Sequence, residues 1–403
     1  MLTSIGIQGF KSIHNIPALE LGQVNVFIGA NGSGKSNLLE AVGMLSAAAD
    51  GRVDADHLLR RGVRHGVPGL YKTSLKGMEQ SAIVLKADGS WNDVGTDYEV
   101  TFDNSSSGTW IYVQEKLCGE KLMPSPKNTI RRAVVGKTLG QSRKNIGIFS
   151  FNIDESAEAP ETKLYTALTD YAIFTPTTPV LRGIQPDIVP SEPLGLLGGR
   201  LAEAVEEILD LENESLGGVD LDDVLDLLDW VDEFDITAPS RELLSPHVPS
   251  LRSLVRFRDY WMNEKHNLVS GYDASEGALY VLFTLTLALH PRTPGFFAID
   301  NFYQSMNPRL ARGVTRLFCR LMLESDPTRQ ILLTTHSPLV LDGLDLRDER
   351  IRLFAVDRSH VTGGATKVSR VGLSDKVLEK GEKGMPLSMM WNMGVLGGVP
   401  DIF

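Results

Sequence analysis

The sequence predicts an α/β fold that combines a mixed or parallel sheet with an antiparallel β-lobe and a helical insertion. Near the N-terminus, an apolar segment typical of a buried strand (24–28), a glycine-rich turn and a helical segment (36–49) form one βα unit. Near the C-terminus, apolar strands at 295–300 and 331–335 enclose a helical segment at 309–324. Strands that alternate with helices are typical of a parallel sheet.

The segments between these two ends differ in pattern. Polar and apolar residues alternate in three stretches separated by turn residues, which predicts an antiparallel lobe made of 81–86, 98–102 and 109–115. Apolar residues then recur at helical spacing, which predicts helices within 204–211, 221–228, 252–261 and 275–290. We therefore expect an antiparallel lobe followed by a helical insertion.

Composition and charge exclude several classes of protein. The chain has 403 residues, of which 42% are hydrophobic and 23% charged, so it is neither collagen-like, nor disordered, nor a disulfide scaffold. Its 51 acids and 40 bases give a net charge of −11, which argues against a wholly basic surface for nucleic acid. However, the segment 203–235 alone holds 14 acids and no Lys or Arg, so the rest of the chain is slightly basic.

The cysteines and the apolar segments predict a cytoplasmic protein. Cys118 and Cys319 lie far apart without metal-binding spacing, which predicts reduced thiols and no zinc site. The N-terminal segment 1–16 lacks the uninterrupted apolar core and the cleavage site of a signal peptide. Apolar stretches elsewhere are shorter than the roughly 18 residues that span a bilayer, so we expect no membrane partner.

One motif carries the strongest chemical signal. The segment from Gly29 to Ser36 matches the phosphate-binding pattern GxxxxGK[ST] in full, and it lies between the predicted strand and helix. Its backbone N–H groups would turn toward phosphates, while Lys35 meets the β and γ oxygens and Ser36 ligates Mg²⁺. A glycine turn that only caps a helix would leave the Lys–Ser pair unexplained. The candidate ATP-binding residues are Gly29, Ala30, Asn31, Gly32, Ser33, Gly34, Lys35, Ser36 and Asn37.

A carboxylate for the metal is expected at the end of a neighbouring strand. Asp300 follows the apolar residues 296–299, at the carboxyl edge where open α/β sheets bind ligands. We interpret it as the acid on the Mg²⁺ side, the alternative being a residue that only caps the next helix. His336 follows the strand 331–335 at the same edge, which favours a γ-phosphate contact over a purely structural role.

With these motifs, the chain resembles the ABC-class ATPases of the RecF, SMC and OLD type, specifically the compact AAA family ATPases of bacterial anti-phage defence operons. Four further segments carry the resemblance: IQGFKS at 7–12 (the opening element), DASEGAL at 273–279 (the signature motif), SMNPR at 305–309 (the D-loop) and THSP at 335–338 (the switch-histidine motif). The resemblance is specific for 1–50 and 265–345 and weak in between.

The resemblance implies the fold of a P-loop ABC-type ATPase in three parts. The first is an N-terminal ATPase half (1–180) with the Walker A motif and the antiparallel β-lobe. An acidic helical insertion (181–265) follows. The last is a C-terminal ATPase half (266–403) with the signature motif, Walker B, D-loop, switch histidine and an apolar tail.

The resemblance also implies how ATP and Mg²⁺ would be used. In this class, two copies enclose two ATPs, each bound by the P-loop of one subunit and capped by the signature motif of the other. Ser275 and Gly277, with Glu276 between them, would contact the γ-phosphate in trans at the positive end of a helix. A local role for Ser275 as the N-cap of that helix is compatible with this.

The sequence departs from the family at the catalytic base. The family usually carries Glu after the Walker B Asp, whereas this chain has Asn301. An amide orients a water but cannot accept its proton, and loss of a general base commonly costs about 10² to 10⁴ in rate. With Asp300, Asn301 and His336 as catalytic candidates, we expect tight ATP binding and slow hydrolysis, unless Asp273 or Glu276 reaches the water.

Two other segments keep alternatives open. Lys and Arg outnumber acids eight to one within 116–144, and a smaller basic cluster lies at 60–65, so DNA contact competes with a solvated charged face. The apolar tail, 385–403, either packs on the core or docks a partner. The acidic segment 203–235 faces a basic partner or trigger protein, repels DNA, or is a solvated helical face.

These features favour an ATP-dependent homodimer, or higher oligomer, that acts as a sensor or regulatory subunit in anti-phage defence. The resemblance implies a TOPRIM-like or HNH nuclease effector and a DNA or phage protein trigger, and because residues 346–403 contain no DxD metal motif, we expect that nuclease on a separate chain. The alternatives are a RecF- or SMC-like repair or chromosome-maintenance ATPase and a non-hydrolysing ATP-dependent scaffold. An ABC transporter subunit fits poorly, because 273–277 departs from LSGGQ.

Overall fold

The computed structural model describes the chain over residues 1–104, 108–122, 145–154, 158–211, 215–216, 219–248, 252–303, 306–325, 328–358, 360–373, 377, 381 and 384–398. The strands are β1 (Leu2–Phe10), β2 (Ile13–Glu20), β3 (Val24–Ile28), β4 (Ile83–Trp91), β5 (Val94–Asn104), β6 (Trp110–Leu117), β7 (Glu120–Lys121), β8 (Ala172–Phe174), β9 (Ser215–Leu216), β10 (Val219–Asp220), β11 (Val231–Thr237), β12 (Leu254–Asp259), β13 (Leu268–Ser270), β14 (Phe296–Ile299), β15 (Gln330–Thr335), β16 (Ile351–Arg358) and β17 (Thr366–Val371). The α-helices are α1 (Lys35–Ala49), α2 (Ala55–Arg60), α3 (Pro160–Thr169), α4 (Thr178–Leu181), α5 (Leu201–Leu211), α6 (Leu221–Leu225), α7 (Glu276–Leu289), α8 (Pro308–Glu324) and α9 (Leu387–Asn392).

A mixed six-stranded sheet lies at the centre, in the order β17-β16-β3-β15-β14-β8. The strands β16, β3, β15, β14 and β8 are parallel, and β17 pairs antiparallel with β16. The carboxyl ends of β3, β14 and β15 therefore meet at one edge, with Ile299 beside Leu333 and Thr335 beside Ile28. The parallel or mixed sheet expected from the sequence is confirmed.

The two faces of this sheet serve two cores, because side chains alternate along each strand. Val26 and Phe297 lie in a core that includes the buried faces of α7 and α8. Phe27 and Phe296 point the other way, into a core shared with α1. The strands are thus covered on both faces, which explains why 24–28 and 296–299 read as continuous apolar runs.

The second core continues into an antiparallel sheet in the order β2-β1-β4-β5-β6-β7. Along β4 and β5, buried residues alternate with half-buried ones, as in a sheet that packs on one face. The antiparallel β-lobe predicted from the alternating segments is confirmed. Most of the basic segment 116–144 falls in 123–144, which lies outside the described residues.

The helix predicted over 252–261 is wrong, because this segment contains the strand β12 in a three-stranded antiparallel sheet, β11-β12-β13. Charge pairing across the strands outweighs helical spacing here: Arg256 lies opposite Asp235, and Arg258 opposite Glu233. The helix expected over 221–228 is also shorter, since α6 ends at Leu225.

Several acids of the segment 203–235 are neutralised within the chain. Besides the two cross-strand pairs, Asp223 accepts from Arg320 of α8 at 2.8 Å. Glu207 of α5 pairs with Arg292 and with the buried His290. The segment is therefore partly docked on neighbouring arginines, and its net charge overstates the negative charge available to a partner.

The apolar tail packs on the core over its described part, 384–398. Met390 and Trp391 of α9 and the following Leu396 are buried in the same core as α8. Ser388 anchors the helix by donating its backbone N–H and its hydroxyl to the two carboxylate oxygens of Asp342, at 2.9 and 2.7 Å. Of the two alternatives left open by the sequence, packing holds for these residues, while 399–403 lie outside the description.

Candidate nucleotide site

The glycine-rich loop joins β3 to α1 and folds tightly against the sheet. Gly34 is in the left-handed region (φ +108°), immediately before the helix begins at Lys35. A Cβ at Gly29 would lie 2.1 Å from the carbonyl oxygen of Val356 on β16, so only glycine fits there. The loop is thereby held close to the carboxyl edge of the sheet.

Lys35 is buried and turns back over its own loop. Its Nζ donates to the carbonyl oxygens of Gly29 and Ala30 at 2.7 and 2.8 Å. Burial lowers the pKa of Lys35, and the nearby Asp300 carboxylate opposes that shift. The ammonium group thus lies beside a site whose anions would stabilise its charged form.

Ser36 and Asp300 meet although 264 positions separate them in the chain: the serine hydroxyl donates to Oδ2 of Asp300 at 2.8 Å. The other oxygen, Oδ1, accepts from the hydroxyl of Thr334. That hydroxyl in turn accepts from the backbone N–H of Asn301 at 2.9 Å. A hydroxyl and a carboxylate oxygen, both ligands that Mg²⁺ prefers, therefore lie together at the sheet edge.

Thr334 is a site residue that the sequence reasoning missed. It follows Leu333, which lies beside Ile299 on the neighbouring parallel strand, and this register places Thr334 level with Asp300. A signal existed, because a hydroxyl residue stands one position after the apolar core of a strand that pairs with the acid's own strand.

Asn301 has an unusual backbone conformation in addition to its unusual identity. Its φ is +58°, in the left-handed region that asparagine tolerates better than most residues with a Cβ. The residue borders the cavity above the phosphate loop. The amide at the expected position of the base therefore lies at the site, on a turn suited to asparagine.

This cavity has a volume of about 390 Å³ and is lined by Asn31, Gly32, Gly34, Lys35, Ser36, Asn37, Arg64, Asn301 and Arg358. The hydroxyl of Ser33, in the same loop, is buried and makes no hydrogen bond to the described part of the chain. The donors are N–H groups, one ammonium, two guanidinium groups and hydroxyls, which suits an anion. The residues present fit a nucleoside triphosphate with Mg²⁺.

Arg64 and Arg358 were not predicted as part of this site. Arg64 had been assigned only to the basic cluster 60–65, and Arg358 had no assigned role. Nε of Arg64 donates to Glu40 at 2.5 Å, and Lys11 pairs with the same carboxylate. Burial favours the protonated form of Glu40, yet these hydrogen bonds hold its pKa below the usual value.

The basic cluster 60–65 makes most of its contacts within the chain. Arg61 is buried and binds the hydroxyl of Ser46 at 2.5 Å and the carboxylate of Asp50 at 3.0 Å. Together with the Arg64 contact to Glu40, this leaves less free positive charge in 60–65 than the sequence suggested.

His336 follows β15 at the same sheet edge as Asp300, and its side chain is exposed. It is not among the residues that line the cavity above the loop. The next residue, Ser337, caps the 3-10 turn Pro338–Gly343 by accepting from the N–H of Leu339 at 3.4 Å. Contact between His336 and a γ-phosphate stays a prediction.

The signature residues lie apart from the phosphate loop. Ser275 is the N-cap of α7, and its hydroxyl accepts from the N–H of Ala278 at 3.3 Å. Ser275 and Gly277 border a different cavity of about 530 Å³, together with Asn307 and Arg309 at the start of α8. Within the described residues, one chain therefore does not bring Ser275 to its own phosphate cavity.

A glycine-rich loop between a parallel strand and a helix, with an acid at the end of a nearby strand, defines the P-loop class of proteins. Within that class, the chain belongs to the family described as "AAA domain, putative AbiEii toxin, Type IV TA system", whose model matches residues 24–172 and 194–342. No curated protein matches the sequence.

Three solved structures are similar over most of the chain. The SMC head domain from Thermotoga maritima is 13% identical, with a TM-score of 0.46, and the match covers 92% of this chain and 98% of that one. The Smc head with an extended coiled coil bound to the C-terminal domain of ScpA, from Pyrococcus furiosus, is 13% identical, with a TM-score of 0.48 and coverages of 95% and 98%. The recombination mediator RecF with ATPrS is 13% identical, with a TM-score of 0.35 and coverages of 88% and 95%.

Across the described ranges, no helix combines the length and the apolar character needed to cross a membrane. The same residues contain no group of three or more His, Cys, Asp or Glu arranged to hold a metal ion.

Proposed function

We propose that the chain binds MgATP at the phosphate loop. The carrying observation is the convergence of Lys35, Ser36 and Asp300 at one sheet edge, with the Ser36 hydroxyl 2.8 Å from the carboxylate. Backbone N–H groups at the start of α1 would hold the phosphates, and Lys35 would exchange its two loop carbonyls for phosphate oxygens. Ser36 and Asp300 would hold Mg²⁺ on the γ-phosphate side.

We further propose that hydrolysis is slow. When bound, Mg²⁺ neutralises charge on the phosphates, and the chain must still remove a proton from the attacking water. Asn301 lines the cavity but its amide accepts no proton, so it can only orient the water. Bound ATP would therefore persist and act mainly as a clamp between two copies, each supplying Ser275 and Gly277 to the other.

A long-lived ATP state suits a sensor or regulatory subunit better than a motor. We propose that the chain controls a separate nuclease effector, TOPRIM-like or HNH, in anti-phage defence, in response to DNA or a phage protein. The family description, which reads "putative AbiEii toxin, Type IV TA system", supports a role with a partner. Copurification with the product of the neighbouring gene, with and without ATP, tests this part.

A RecF- or SMC-like role in DNA repair or chromosome maintenance is the alternative. The exposed Arg309, Arg312 and Arg316 of α8 border the cavity of the signature motif and would offer positive charge to DNA. Duplex DNA binding that falls steeply with salt, together with no copurifying nuclease, would favour this alternative. ATP-dependent dimerisation without DNA binding or hydrolysis would favour a scaffold.

Nucleotide binding itself is tested with Lys35→Ala. Wild type should bind a fluorescent ATP analogue in the presence of Mg²⁺, and the variant should bind at least about 100-fold more weakly, because it loses the only ammonium in the cavity described here. Lys72→Ala, on the β-lobe side and paired with Asp103, is the matched control and should bind normally. Equal affinity of wild type and Lys35→Ala would refute the proposed site.

A further inference from the structure

Thr366 touches the phosphate loop from behind, although it belongs to the last strand of the central sheet. It is the first residue of β17 and is buried. Its hydroxyl donates to the carbonyl oxygen of Ser33 at 2.9 Å. Its backbone N–H donates to the carbonyl of Ser12, in the turn between β1 and β2, at 2.8 Å.

The hydroxyl belongs to a directed chain of hydrogen bonds. Ser12 Oγ lies 2.7 Å from Thr366 Oγ1, and the side-chain amide of Asn37 donates to Ser12 Oγ at 2.7 Å. Each hydroxyl has a single proton, and that of Thr366 is used on Ser33. Ser12 must therefore donate to Thr366, which orders the chain as Asn37 to Ser12 to Thr366 to Ser33.

This chain fixes the orientation of one peptide of the loop. In a planar trans peptide, the carbonyl of Ser33 and the N–H of Gly34 point in opposite directions. When Thr366 holds the carbonyl, the N–H of Gly34, a residue that lines the phosphate cavity, must point away from Thr366. A Cβ at Gly34 would lie 2.2 Å from Thr366 Oγ1, so only glycine fits beside this hydroxyl.

We propose that Thr366 is a positioning residue of the phosphate loop and that it acts through Ser33, with Ser12 and Asn37 holding its hydroxyl in place. The nucleotide unit then includes the opening turn, the loop and helix α1, and a strand more than 300 positions further along the chain. This inference rests on the proposed function, because it assumes that the loop binds a triphosphate.

The test compares Thr366→Val, which keeps the shape and removes the hydroxyl, with Thr366→Ser, which keeps the hydroxyl. The probes are a fluorescent ATP analogue and inorganic tripolyphosphate as its competitor, both with Mg²⁺, at a temperature well below the melting point of every variant. We expect Thr366→Val to weaken both by about tenfold, the size of a lost hydrogen bond plus an unpaired carbonyl. Thr366→Ser should stay within about threefold of wild type.

Thr362→Val is the matched control, because its hydroxyl donates to the carbonyl of Ala365 at 2.9 Å in the turn that leads to the same strand. It should change neither affinity, even if it lowers the melting temperature. Ser12→Ala should weaken binding of both probes as Thr366→Val does. The double variant should bind them about as tightly as either single variant, since both substitutions break the same chain of hydrogen bonds.

Three outcomes separate the inference from the proposed function. If Thr366→Val binds both probes like wild type while Lys35→Ala does not, the positioning role is overturned and the nucleotide site stands. If Thr362→Val loses as much affinity as Thr366→Val, the effect is general destabilisation and the inference again fails. If wild type binds neither probe, the proposed function itself is wrong.

Discussion

The phosphate loop and the signature segment each lead into a helix, but the two helix N-termini differ in their side-chain caps and in the charge of their first turns. At α1, no side chain caps the first turn and no acid lies in it. At α7, Ser275 caps the first turn and Glu276 lies within it. Because free N–H groups and the helix dipole attract anions, the start of α1 is left for a ligand, whereas at α7 one N–H is capped by Ser275 and Glu276 adds negative charge.

The side chains around the two helix N-termini differ as well. Around the phosphate loop, side chains from the start of α1, the end of β14 and β15 converge, because Ser36 and Thr334 both donate to the Asp300 carboxylate. Around Ser275, the neighbours are exposed arginines of α8 across a wide cavity. The comparison teaches that one chain brings Lys35, Ser36 and Asp300 together, whereas Ser275 and Gly277 border a separate cavity.

The largest effect that would break this comparison is expected from Ser275→Arg. A long cationic side chain at the start of α7 would block the approach of a second copy, so ATP-driven dimerisation should be lost, with ATP affinity of the monomer within about twofold of wild type. Light scattering with and without MgATP measures the first quantity, and fluorescence titration the second.

Ser275→Ala is the control for that substitution. It removes the cap, at a cost of about 1 kcal/mol in the stability of the helix, together with the proposed phosphate contact of the hydroxyl, but it adds no bulk or charge and leaves Gly277 in place, so weakened dimerisation should remain detectable. Dimerisation of Ser275→Arg at the wild-type ATP concentration would show that the signature segment plays no part between copies.

The next largest effect is expected from a substitution of Asn301, and it tests the role of the amide at the phosphate site. Asn301→Glu should speed ATP hydrolysis by about tenfold or more, because a carboxylate there can accept a proton from water. The gain is limited by the left-handed backbone at this position (φ +58°), which disfavours Glu by roughly 1 kcal/mol relative to Asn. Steady-state phosphate release at saturating MgATP measures the rate.

Asn301→Gln is the matched control, since it carries the same strain without a base. It should hydrolyse no faster than wild type. A wild-type rate already in the tens per second, or equal rates for the Glu and Gln variants, would contradict the view that a missing base limits turnover.

The sequence predicted features that depend on neighbouring residues and missed features that depend on residues far apart in the chain. The phosphate loop, β14 and β15 were predictable because buried parallel strands and the glycine pattern are local signals. Asp300 followed from strand order at the sheet edge. Strand β12 was not predictable in this way. Arg256 and Arg258 pair with residues on β11, and the spacing of residues within 252–261 cannot reveal these partners.

Within the site, the same limit applies to side chains recruited from a distance. Arg64, Arg358 and Thr366 carry no local motif. Arg358 and Thr366 reach the loop because β16 pairs with β3 and β17 pairs with β16, whereas Arg64, which follows α2, borders the cavity and contacts Glu40 of α1. Thr334 lay within the predicted strand 331–335, yet its role depends on the register between β14 and β15. Register is set by the whole sheet, so sequence reasoning located the strands and missed this contact.

The smallest effect is expected from Thr334→Val. The variant removes the hydroxyl that donates to Asp300 Oδ1 and accepts from the N–H of Asn301, while keeping the shape of a buried side chain. Asp300 would lose one of the groups that orient its carboxylate, so the Mg²⁺ concentration needed for half-maximal ATP binding should rise about three- to tenfold. Affinity for ATP at saturating Mg²⁺ should change by less than about twofold. Thr334→Ser, which keeps the hydroxyl, should have the Mg²⁺ dependence of wild type. An unchanged Mg²⁺ dependence in Thr334→Val would mean that Ser36 alone orients Asp300. The phosphate site would then be less tightly built than its comparison with the signature segment implies.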